Sequence, residues 1–348
     1  MVPVVDLSRR GKRFASDFAK VAERIAVSGS FLLGAELSAF ESEFAKWLGA
    51  RHCVAVSSGA AALQLALVAA GIGPGDEVLV PAFTAVPTAS SVAAVGAVPR
   101  AIDVDPRTAC ITSETVEAGR TAQTKAVIVV HLYGYPADLP ATDMLIIEDA
   151  AQAHGALRAP GRSAATAYSF YPTKNLGGIG DGGAIVTDDD AFAALTRTLR
   201  VHGMTAQYVH EFVSQYFRMS EIEAAWLRIT MRDLDDDLDR RRRLVARYHR
   251  AAPGLEWQAS HPDHAYHLAV FRSTDRDRTR ATLERDGVAT AVHYPLAITQ
   301  QPAFRNLRHG PCLHAEAWAA ECISVPCFPE MTEAEIDRVC VALAGLSP

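Results

Sequence analysis

Residues 168–175 of this 348-residue chain read Tyr-Ser-Phe-Tyr-Pro-Thr-Lys-Asn, and residues 177–183 read Gly-Gly-Ile-Gly-Asp-Gly-Gly. The aromatic segment before the glycines and the Ala-Ile-Val-Thr run at 184–187 predict a strand, a loop and a second strand. Lys174 lies in the loop, beside glycines that allow tight turns. The stretch therefore predicts a lysine held between two strands.

Lys174 has two ordinary interpretations. The first is a solvated lysine at the surface, as most lysines are. The second is a nucleotide-binding loop. The neighbouring glycines also satisfy the dinucleotide-binding pattern G-x-G-x-x-G, through Gly178, Gly180 and Gly183. That pattern normally follows a strand and opens a helix, whereas these glycines lead into a β-branched run. The stretch alone leaves the role of the lysine open.

A second stretch predicts a phosphate-binding turn. Residues 52–56 indicate a buried strand, and they run through Ser-Ser-Gly at 57–59 into an alanine- and leucine-rich helix at 60–67. The free N–H groups at the start of a helix favour an anion, and Gly59 lets the backbone approach it closely. An ordinary turn capped by Ser58 is the alternative.

Four further apolar runs predict buried strands at residues 77–80, 100–104, 125–131 and 144–147. Because they are continuous and are separated by helical patterns, they indicate an α/β fold with a mostly parallel sheet between helices. Ligands of such sheets bind outside the carboxyl ends of the strands. Gly59, Asp149 and the Lys174 loop are expected at that edge.

The last of these runs ends on Glu148 and Asp149, and the Asp149 carboxylate can cap the following segment. It can also pair with a pyridinium nitrogen and keep a cofactor ring protonated as an electron sink. The ordinary interpretations do not jointly predict a phosphate turn, a strand-end aspartate and a lone lysine. We therefore interpret Lys174 as a Schiff-base lysine that holds pyridoxal phosphate (PLP).

The composition argues against nucleic-acid binding. Apolar residues make up 49% and charged residues 21%, which is typical of a globular chain, and the formal net charge is -6. The aspartates at 233–239 precede Arg240 to Arg243 at spacings of three to four residues. That spacing predicts ion pairs on a solvated helix and not a basic patch.

We expect no membrane span, metal or disulfide. No apolar run reaches the roughly 18 residues of a membrane span, and the six scattered cysteines contain no C-x-x-C pair. His261, His264 and His267 are spaced by three in a predicted strand, where they would alternate faces and would not converge on a metal. These features predict a reduced, cytoplasmic protein.

The sequence pattern changes after a long helix predicted at about 219–250. Short strands (264–271 and 288–293) and amphipathic helices (277–286 and 333–346) follow it. We therefore divide the chain into a large α/β domain, residues 1–235, and a smaller C-terminal α+β domain, residues 236–348.

Several motifs, in this order, resemble those of the DegT-type, fold-type I PLP-dependent sugar aminotransferases. The most specific are Glu-Asp-Ala-Ala-Gln-Ala-His-Gly at 148–155 and Ser-Phe-Tyr-Pro-Thr-Lys-Asn at 169–175. Further matching stretches lie at 28–34, 40–41, 57–63, 218–219, 293–295 and 324–329, across nearly the whole chain. The resemblance implies PLP as the cofactor and a homodimer whose active sites lie at the subunit interface.

The activity implied by the resemblance is transfer of an amino group from L-glutamate or glutamine to a keto group of a nucleotide-linked deoxysugar, through pyridoxamine phosphate. A cyclitol is an alternative acceptor. Relatives that deoxygenate sugars with PLP have histidine at the lysine position, so Lys174 disfavours that reaction. A catalytically silent sensor or assembly partner is the alternative from another class of protein.

The resemblance also implies roles for single residues. Lys174 and Asp149 are the predicted catalytic residues, as the Schiff-base lysine and the partner of the ring nitrogen. The other predicted cofactor-binding residues are Gly59, Ala60, Phe83, Gln152, Ser169 and Tyr216, and the predicted substrate residues are Arg218, His293 and Tyr294.

Four positions depart from the family pattern. Ala60 stands where a threonine usually contacts the phosphate, and Ala85 stands where an aromatic residue usually stacks on the ring, with Phe83 as a substitute. Tyr216 occupies the position of an asparagine through which a neighbouring subunit reaches the phosphate. Thr299 replaces a histidine of the substrate region.

Overall fold

The structure is a computed structural model, and it describes residues 1–156 and 163–346. Its helices are α1 (Leu7–Ser28), α2 (Ala35–Leu48), α3 (Gly59–Ala69), α4 (Val86–Ala94), α5 (Ser113–Gly119), α6 (Asp190–Leu199), α7 (Glu221–Met231), α8 (Leu234–Ala251), α9 (Arg276–Arg285), α10 (Leu313–Glu321) and α11 (Glu333–Ala344). Its strands are β1 (His52–Val56), β2 (Glu77–Pro81), β3 (Val98–Ile102), β4 (Thr124–Val130), β5 (Leu145–Asp149), β6 (Ala165–Ser169), β7 (Gly183–Thr187), β8 (Met204–Ala206), β9 (Val209–His210), β10 (Glu256–Trp257), β11 (Ala269–Arg272), β12 (Arg308–His309) and β13 (Cys322–Val325).

Eight strands form one central sheet in the order β1-β7-β6-β5-β4-β2-β3-β12. Strand β7 runs antiparallel to both of its neighbours, and the other adjacent pairs are parallel. Every residue of β2 and β7 is buried, as expected for strands covered on both faces. The predicted α/β fold with a mostly parallel sheet is confirmed.

An aromatic cluster packs beneath the Lys174 loop. Phe40 and Phe44 of α2 both contact the edge of the Phe170 ring, with centroids 5.3 and 5.4 Å apart. All three side chains are fully buried. Burial of such rings stabilises the start of the loop, because Phe170 directly follows β6.

A second apolar core lies around a three-stranded antiparallel sheet in the order β10-β11-β13. Helix α8 contributes to both cores, with Leu234 and Leu238 in the one beside the central sheet and Leu244 and Tyr248 in the C-terminal one. The division of the chain between residues 235 and 236 stays a prediction, and α8 is the element that connects the two cores.

Three details of the predicted C-terminal half are wrong. The helix at 219–250 is two helices, α7 and α8, which separate at Arg232 and Asp233. Aspartate is a poor helix former, and Asp233 instead binds Arg13 of α1. The strand at 264–271 begins only at Ala269, because the backbone turns at Tyr266, where φ is 42°. Residues 288–293 make only isolated bridges at Val288 and Ala291.

The arginine run is also less solvated than its spacing predicts. Arg242 pairs with Asp239 within α8, 3.0 Å apart. Arg241 is instead 2% exposed and donates hydrogen bonds to backbone carbonyl oxygens. The run therefore lies partly between α8 and the C-terminal core.

The three histidines have different surroundings. His261 lies near the surface beside Tyr135, His264 bonds Gln258, and His267 lies buried near Lys174. Within the two described ranges, no group of His, Cys, Asp and Glu side chains is arranged to hold a metal ion. Nor is any helix there both long and apolar enough to cross a membrane.

Candidate active site

Six of the predicted site residues line one cavity of about 280 Å³ at the carboxyl ends of the central strands: Gly59, Ala60, Asp149, Gln152, Ser169 and Lys174. Asp149 ends β5, Ser169 ends β6, and Gly59 opens the helix after β1. Because these strands are neighbours or are joined through β7, residues far apart in sequence meet at one edge of the sheet.

The N-terminus of α3 forms one wall of this cavity. Ser58 caps the helix and accepts a hydrogen bond from the Ala61 amide at 3.1 Å. Among the described residues, the amides of Gly59 and Ala60 have no acceptor. A Cβ on Gly59 would lie 2.6 Å from the Ser169 Cβ, so only glycine permits this close approach. The wall offers two free N–H donors and the positive end of the helix dipole to an anion.

Asp149 lies buried at the floor of the cavity. Its Oδ2 accepts a hydrogen bond from Thr88 Oγ1 at 2.9 Å, and its Oδ1 accepts one from the Ala151 amide at 3.1 Å. Burial raises the pKa of the carboxyl, while the two hydrogen bonds and the charge of Lys174 oppose the rise. The carboxylate is fixed in position, and no cationic side chain of residues 1–156 or 163–346 is bonded to it.

Lys174 lies in the loop between β6 and β7, and its side chain is partly buried in the cavity. Burial lowers the pKa of its amine to about 8, although the nearby Asp149 opposes the shift. Arg10 of α1 donates to the carbonyl oxygens of Pro172 and Lys174, both at 3.2 Å. The loop therefore holds the lysine in place and makes its amine easier to deprotonate.

Helix α7 supports the glycine-rich part of the same loop. Glu223 Oε2 accepts a hydrogen bond from the Gly180 amide at 2.9 Å, and Trp226 Nε1 donates to the Gly177 carbonyl at 3.0 Å. A Cβ on Gly178 would lie 1.6 Å from Glu223 Oε1, so the glycine is needed for this contact. Burial raises the pKa of Glu223 to about 7, despite the backbone N–H groups that bond it.

Gln152 connects the cavity to the predicted substrate residues. Its Oε1 accepts from the Tyr133 amide at 2.6 Å, and its Nε2 donates to the Tyr294 hydroxyl at 3.0 Å. His293 Nδ1 lies 2.8 Å from Ser324 Oγ. Burial, together with the charge of Lys174, lowers the pKa of His293.

A second cavity of about 310 Å³ adjoins the first, and both are lined by Tyr171 and Lys174. Its other walls include Arg241, His267, His293 and Tyr294. The structure thus places the predicted substrate residues His293 and Tyr294 on one side of the lysine. Five of the predicted cofactor residues, Gly59, Ala60, Asp149, Gln152 and Ser169, line the cavity on the other side.

The model of the DegT/DnrJ/EryC1/StrS aminotransferase family matches residues 13–344. This chain belongs to that family. The family predicted from the motifs at 148–155 and 169–175 is therefore confirmed, as is the fold-type I architecture that it implies.

Individual members of the family are similar to this chain along almost its whole length. A Saccharopolyspora erythraea protein named erythromycin biosynthesis sensory transduction protein EryC1 is 40% identical over 98% of this chain and 98% of its own. A Streptomyces venezuelae dTDP-3-amino-3,4,6-trideoxy-alpha-D-glucose transaminase is 39% identical over 97% of this chain and 94% of its own.

A solved structure extends the similarity to three dimensions. NtdA from Bacillus subtilis, solved with the bound cofactor PMP, has a TM-score of 0.93 and 30% sequence identity. The match covers 98% of this chain and 84% of that one.

Phe83 does not reach the cavity of this DegT-family chain, and its predicted place there is wrong. Its ring is fully buried and stacks on Trp318, with centroids 6.0 Å apart. Thr84 and Ala85 line the cavity instead. The backbone bends at residues 82–84, directly after β2, and there the Phe83 ring packs into the core.

Tyr216 and Arg218 also lie outside both cavities. The Arg218 guanidinium lies over the Tyr216 ring, 4.3 Å from its centroid, and Tyr216 is 45% exposed. The predicted role of Tyr216 in cofactor binding requires a second subunit. That role and the predicted role of Arg218 in substrate binding stay predictions.

Three residues of the site were missed from the sequence. Thr88 lies on α4 and donates a hydrogen bond to Asp149, and its hydroxyl is 3.1 Å from that of Thr84, which precedes the helix. Arg241 lies in a run that looks solvated, and His267 lies in a segment that looks like a strand. No sequence signal separates these two residues from their neighbours.

Proposed function

We propose that this DegT-family chain is a PLP-dependent aminotransferase that moves an amino group from L-glutamate or glutamine to a keto group of a nucleotide-linked deoxysugar. The observation that carries the proposal is the arrangement of Lys174 and Asp149 in one cavity with the free amides of α3. The nucleotide-linked amino sugar for which the Streptomyces venezuelae transaminase is named supports the class of acceptor.

The residues present fit pyridoxal phosphate. The amides of Gly59 and Ala60 and the end of α3 suit a phosphate, and the Ser169 hydroxyl lies against the same turn. The Asp149 carboxylate suits a protonated ring nitrogen, and the Gln152 side chain suits the ring hydroxyl. The PMP bound in NtdA supports a cofactor of this type. When bound, PLP supplies an electron sink for the carbon that loses its proton.

Lys174 has two tasks in this proposal. Its amine would hold the cofactor between turnovers and would then act as the proton shuttle between the Cα of the donor and the acceptor carbon. A pKa of about 8 suits both tasks, because the neutral amine is then accessible near physiological pH. Asp149 orients the ring, since Thr88 and Ala151 fix its two oxygens.

We also propose that the working enzyme is a homodimer in which each subunit completes the other's site. The segment 204–217 exposes Tyr208, Val209, Phe212, Val213 and Tyr216, and exposed apolar clusters of this kind mark interfaces. The Tyr216 hydroxyl would then donate a hydrogen bond to the phosphate in the partner's cavity. A cytoplasmic location also stays a prediction, with which the six free cysteines agree.

A sensor without catalysis is the alternative, and it is favoured by the similarity to EryC1, which is named as a sensory transduction protein. The two functions differ in what glutamate does. An aminotransferase converts the visible absorbance of its lysine-bound cofactor to the shorter-wavelength absorbance of the amine form, and a keto-sugar restores it. A sensor leaves the band unchanged.

The experiment is to titrate the purified, PLP-loaded protein with L-glutamate and record its absorbance, with Lys174→Ala as the matched variant. We expect glutamate to remove the visible band of the wild type. The variant should have neither the band nor turnover. A wild-type band that neither glutamate nor glutamine changes, or a variant with full activity, would contradict the proposal.

A further inference from the structure

Four residues from three parts of the chain form a closed ring of contacts beside the cofactor cavity. The Tyr133 amide donates to Gln152 Oε1 at 2.6 Å, and Gln152 Nε2 donates to the Tyr294 hydroxyl at 3.0 Å. The Tyr133 hydroxyl donates to the carbonyl oxygen of His293, which directly precedes Tyr294. The turn after β4, the turn after β5 and the segment 293–294 are therefore fixed to one another.

This ring fixes the orientation of the Gln152 amide. A backbone N–H can only donate, so the amide oxygen must face Tyr133 and the amide nitrogen must face Tyr294. The nitrogen carries two hydrogens, and within residues 1–156 and 163–346 only the one bonded to Tyr294 has an acceptor. Gln152 is 5% exposed and lines the cofactor cavity. Its second N–H is therefore available as a donor to a group bound there.

The backbone of Tyr133 provides an independent observation. Its φ is 60° and its ψ is 4°, in the left-handed region that bulky residues rarely adopt. In this conformation one fully buried residue bonds Gln152 through its amide and His293 through its hydroxyl. Strained backbone of this kind clusters at functional sites. Tyr133 lines neither cavity beside Lys174, so it can influence a bound cofactor only through its neighbours.

The segment 293–294 is also anchored on the C-terminal core. His293 Nδ1 lies 2.8 Å from the hydroxyl oxygen of Ser324, a fully buried residue of β13. Ala291 and Ser324 exchange two backbone hydrogen bonds, at 3.0 and 2.8 Å. Tyr294 therefore reaches Gln152 from a backbone that is fixed on both sides, as a residue that positions another requires.

We propose that Tyr294 and Tyr133 are positioning residues, which hold the Gln152 amide so that its second N–H donates to the hydroxyl oxygen of the cofactor ring. The inference rests on the proposed aminotransferase function, in which Gln152 faces that oxygen. A hydrogen bond donated to the oxygen stabilises its ionised form. The oxygen then holds less firmly the proton that it shares with the nitrogen of the lysine-bound cofactor. This role does not require Tyr294 to contact the substrate.

The test applies one substitution to three tyrosines. Tyr294→Phe and Tyr133→Phe each remove one hydroxyl from the ring of contacts, whereas the control Tyr135→Phe changes a residue that lines neither cavity beside Lys174. Each PLP-loaded protein is titrated with base, and the pH at which half of the visible band has moved to shorter wavelength is recorded. We expect this pH to rise by about 0.5–1 pH unit in Tyr294→Phe, because the hydrogen bond to the ring oxygen is loosened.

Tyr133→Phe should raise the same pH, since it releases the carbonyl that anchors Tyr294. Tyr135→Phe should stay within about 0.3 pH unit of the wild type. A Tyr133→Phe protein that titrates like Tyr135→Phe, or a Tyr294→Phe protein that titrates like the wild type, would overturn the proposal.

A double variant separates positioning from direct contact. In a Gln152→Ala background, Tyr294→Phe should cause no further rise, since its hydroxyl acts through Gln152. A further rise as large as that in the wild-type background would mean that Tyr294 contacts the cofactor itself, and it would overturn the proposal. If a variant of one comparison does not fold, the other comparison decides. Absence of any visible band in the PLP-loaded wild type contradicts the aminotransferase function itself, which is a distinguishable result.

Discussion

The Lys174 loop and the segment 204–217 both carry predicted cofactor-binding residues, but their surroundings are opposite. The loop is fixed by Arg10, Glu223 and Trp226, and its lysine lies against a cavity of its own chain. The segment contains the short β8–β9 hairpin, and Val213 is fully exposed there. The loop thus belongs to a cavity within its own chain, whereas the residues of the exposed segment line neither of the two cavities beside Lys174.

Substitutions in these two regions should therefore have different effects. Changes on the Lys174 side should alter chemistry and cofactor binding whatever the oligomeric state. Changes in the segment 204–217 should act through assembly.

The largest effect is expected at Asp149. Asp149→Asn keeps the shape of the side chain and the hydrogen bond from Thr88 but removes the charge that holds a protonated ring nitrogen. We expect the glutamate half-reaction, measured by stopped-flow absorbance, to slow by about 10²–10³-fold. The dimer should be unaffected. A rate within a few-fold of the wild type would mean that Asp149 only caps its turn.

The segment 204–217 is tested by Val213→Glu, with Val341→Glu on α11 as its control. Both valines are exposed, Val213 fully and Val341 at 74%. We expect sedimentation to show that Val213→Glu converts the dimer to monomers and that its cofactor affinity falls at least about tenfold. Val341→Glu should stay dimeric. A monomeric wild type, or an unchanged Val213→Glu dimer, would refute the shared-site arrangement.

The contact between α3 and β6 is tested by Gly59→Ala. The added Cβ would lie 2.6 Å from the Ser169 Cβ, so the helix start must move. We expect PLP affinity, measured by fluorescence titration, to fall about tenfold and the free energy of unfolding by roughly 1–3 kcal/mol.

Gly11→Ala is the matched change, since no atom lies within 4 Å of its added Cβ in α1. It should leave PLP affinity unchanged and stabilise the chain by about 0.5–1 kcal/mol. Equal PLP affinities in the two variants would show that the close approach at Gly59 does not matter.

The smallest expected effect concerns the support beneath the loop. The pKa of Glu223 is about 7 in the folded chain against an ordinary value of 4.5, so the folded state binds more protons between these pH values. Its contribution to the unfolding free energy therefore decreases as the pH rises from 4.5 to 7, by roughly 2–4 kcal/mol. Glu223→Gln should gain stability relative to the wild type across this window in urea titrations. A difference that does not change with pH would contradict the protonation of Glu223.

Most of the residues around Lys174 could be predicted from the sequence, because they lie at the ends of predicted strands. Continuous apolar runs fix which residues end parallel strands, and those ends meet at one edge of the sheet. Gly59, Asp149 and Lys174 came together for this reason. Phe83 was misplaced because the sequence does not reveal how the backbone bends after β2, and that bend packs the Phe83 ring against Trp318.

Other parts of the site depend on tertiary packing. Arg241 lies in a run of four arginines whose pattern with the preceding aspartates predicts surface pairs. Only the packing of α8 against the Cys327 segment buries this one of the four beside the lysine. At the break between α7 and α8, Asp233 likewise pairs with Arg13, more than 200 residues away in sequence.

The measurement that tests the central claim most directly is borohydride reduction of the PLP-loaded protein, followed by mass spectrometry of its peptides. Reduction attaches the cofactor permanently to the lysine that holds it. We predict that the modification occurs on Lys174. Modification of Lys12, Lys20, Lys46 or Lys125 instead, or of no lysine, would contradict the account.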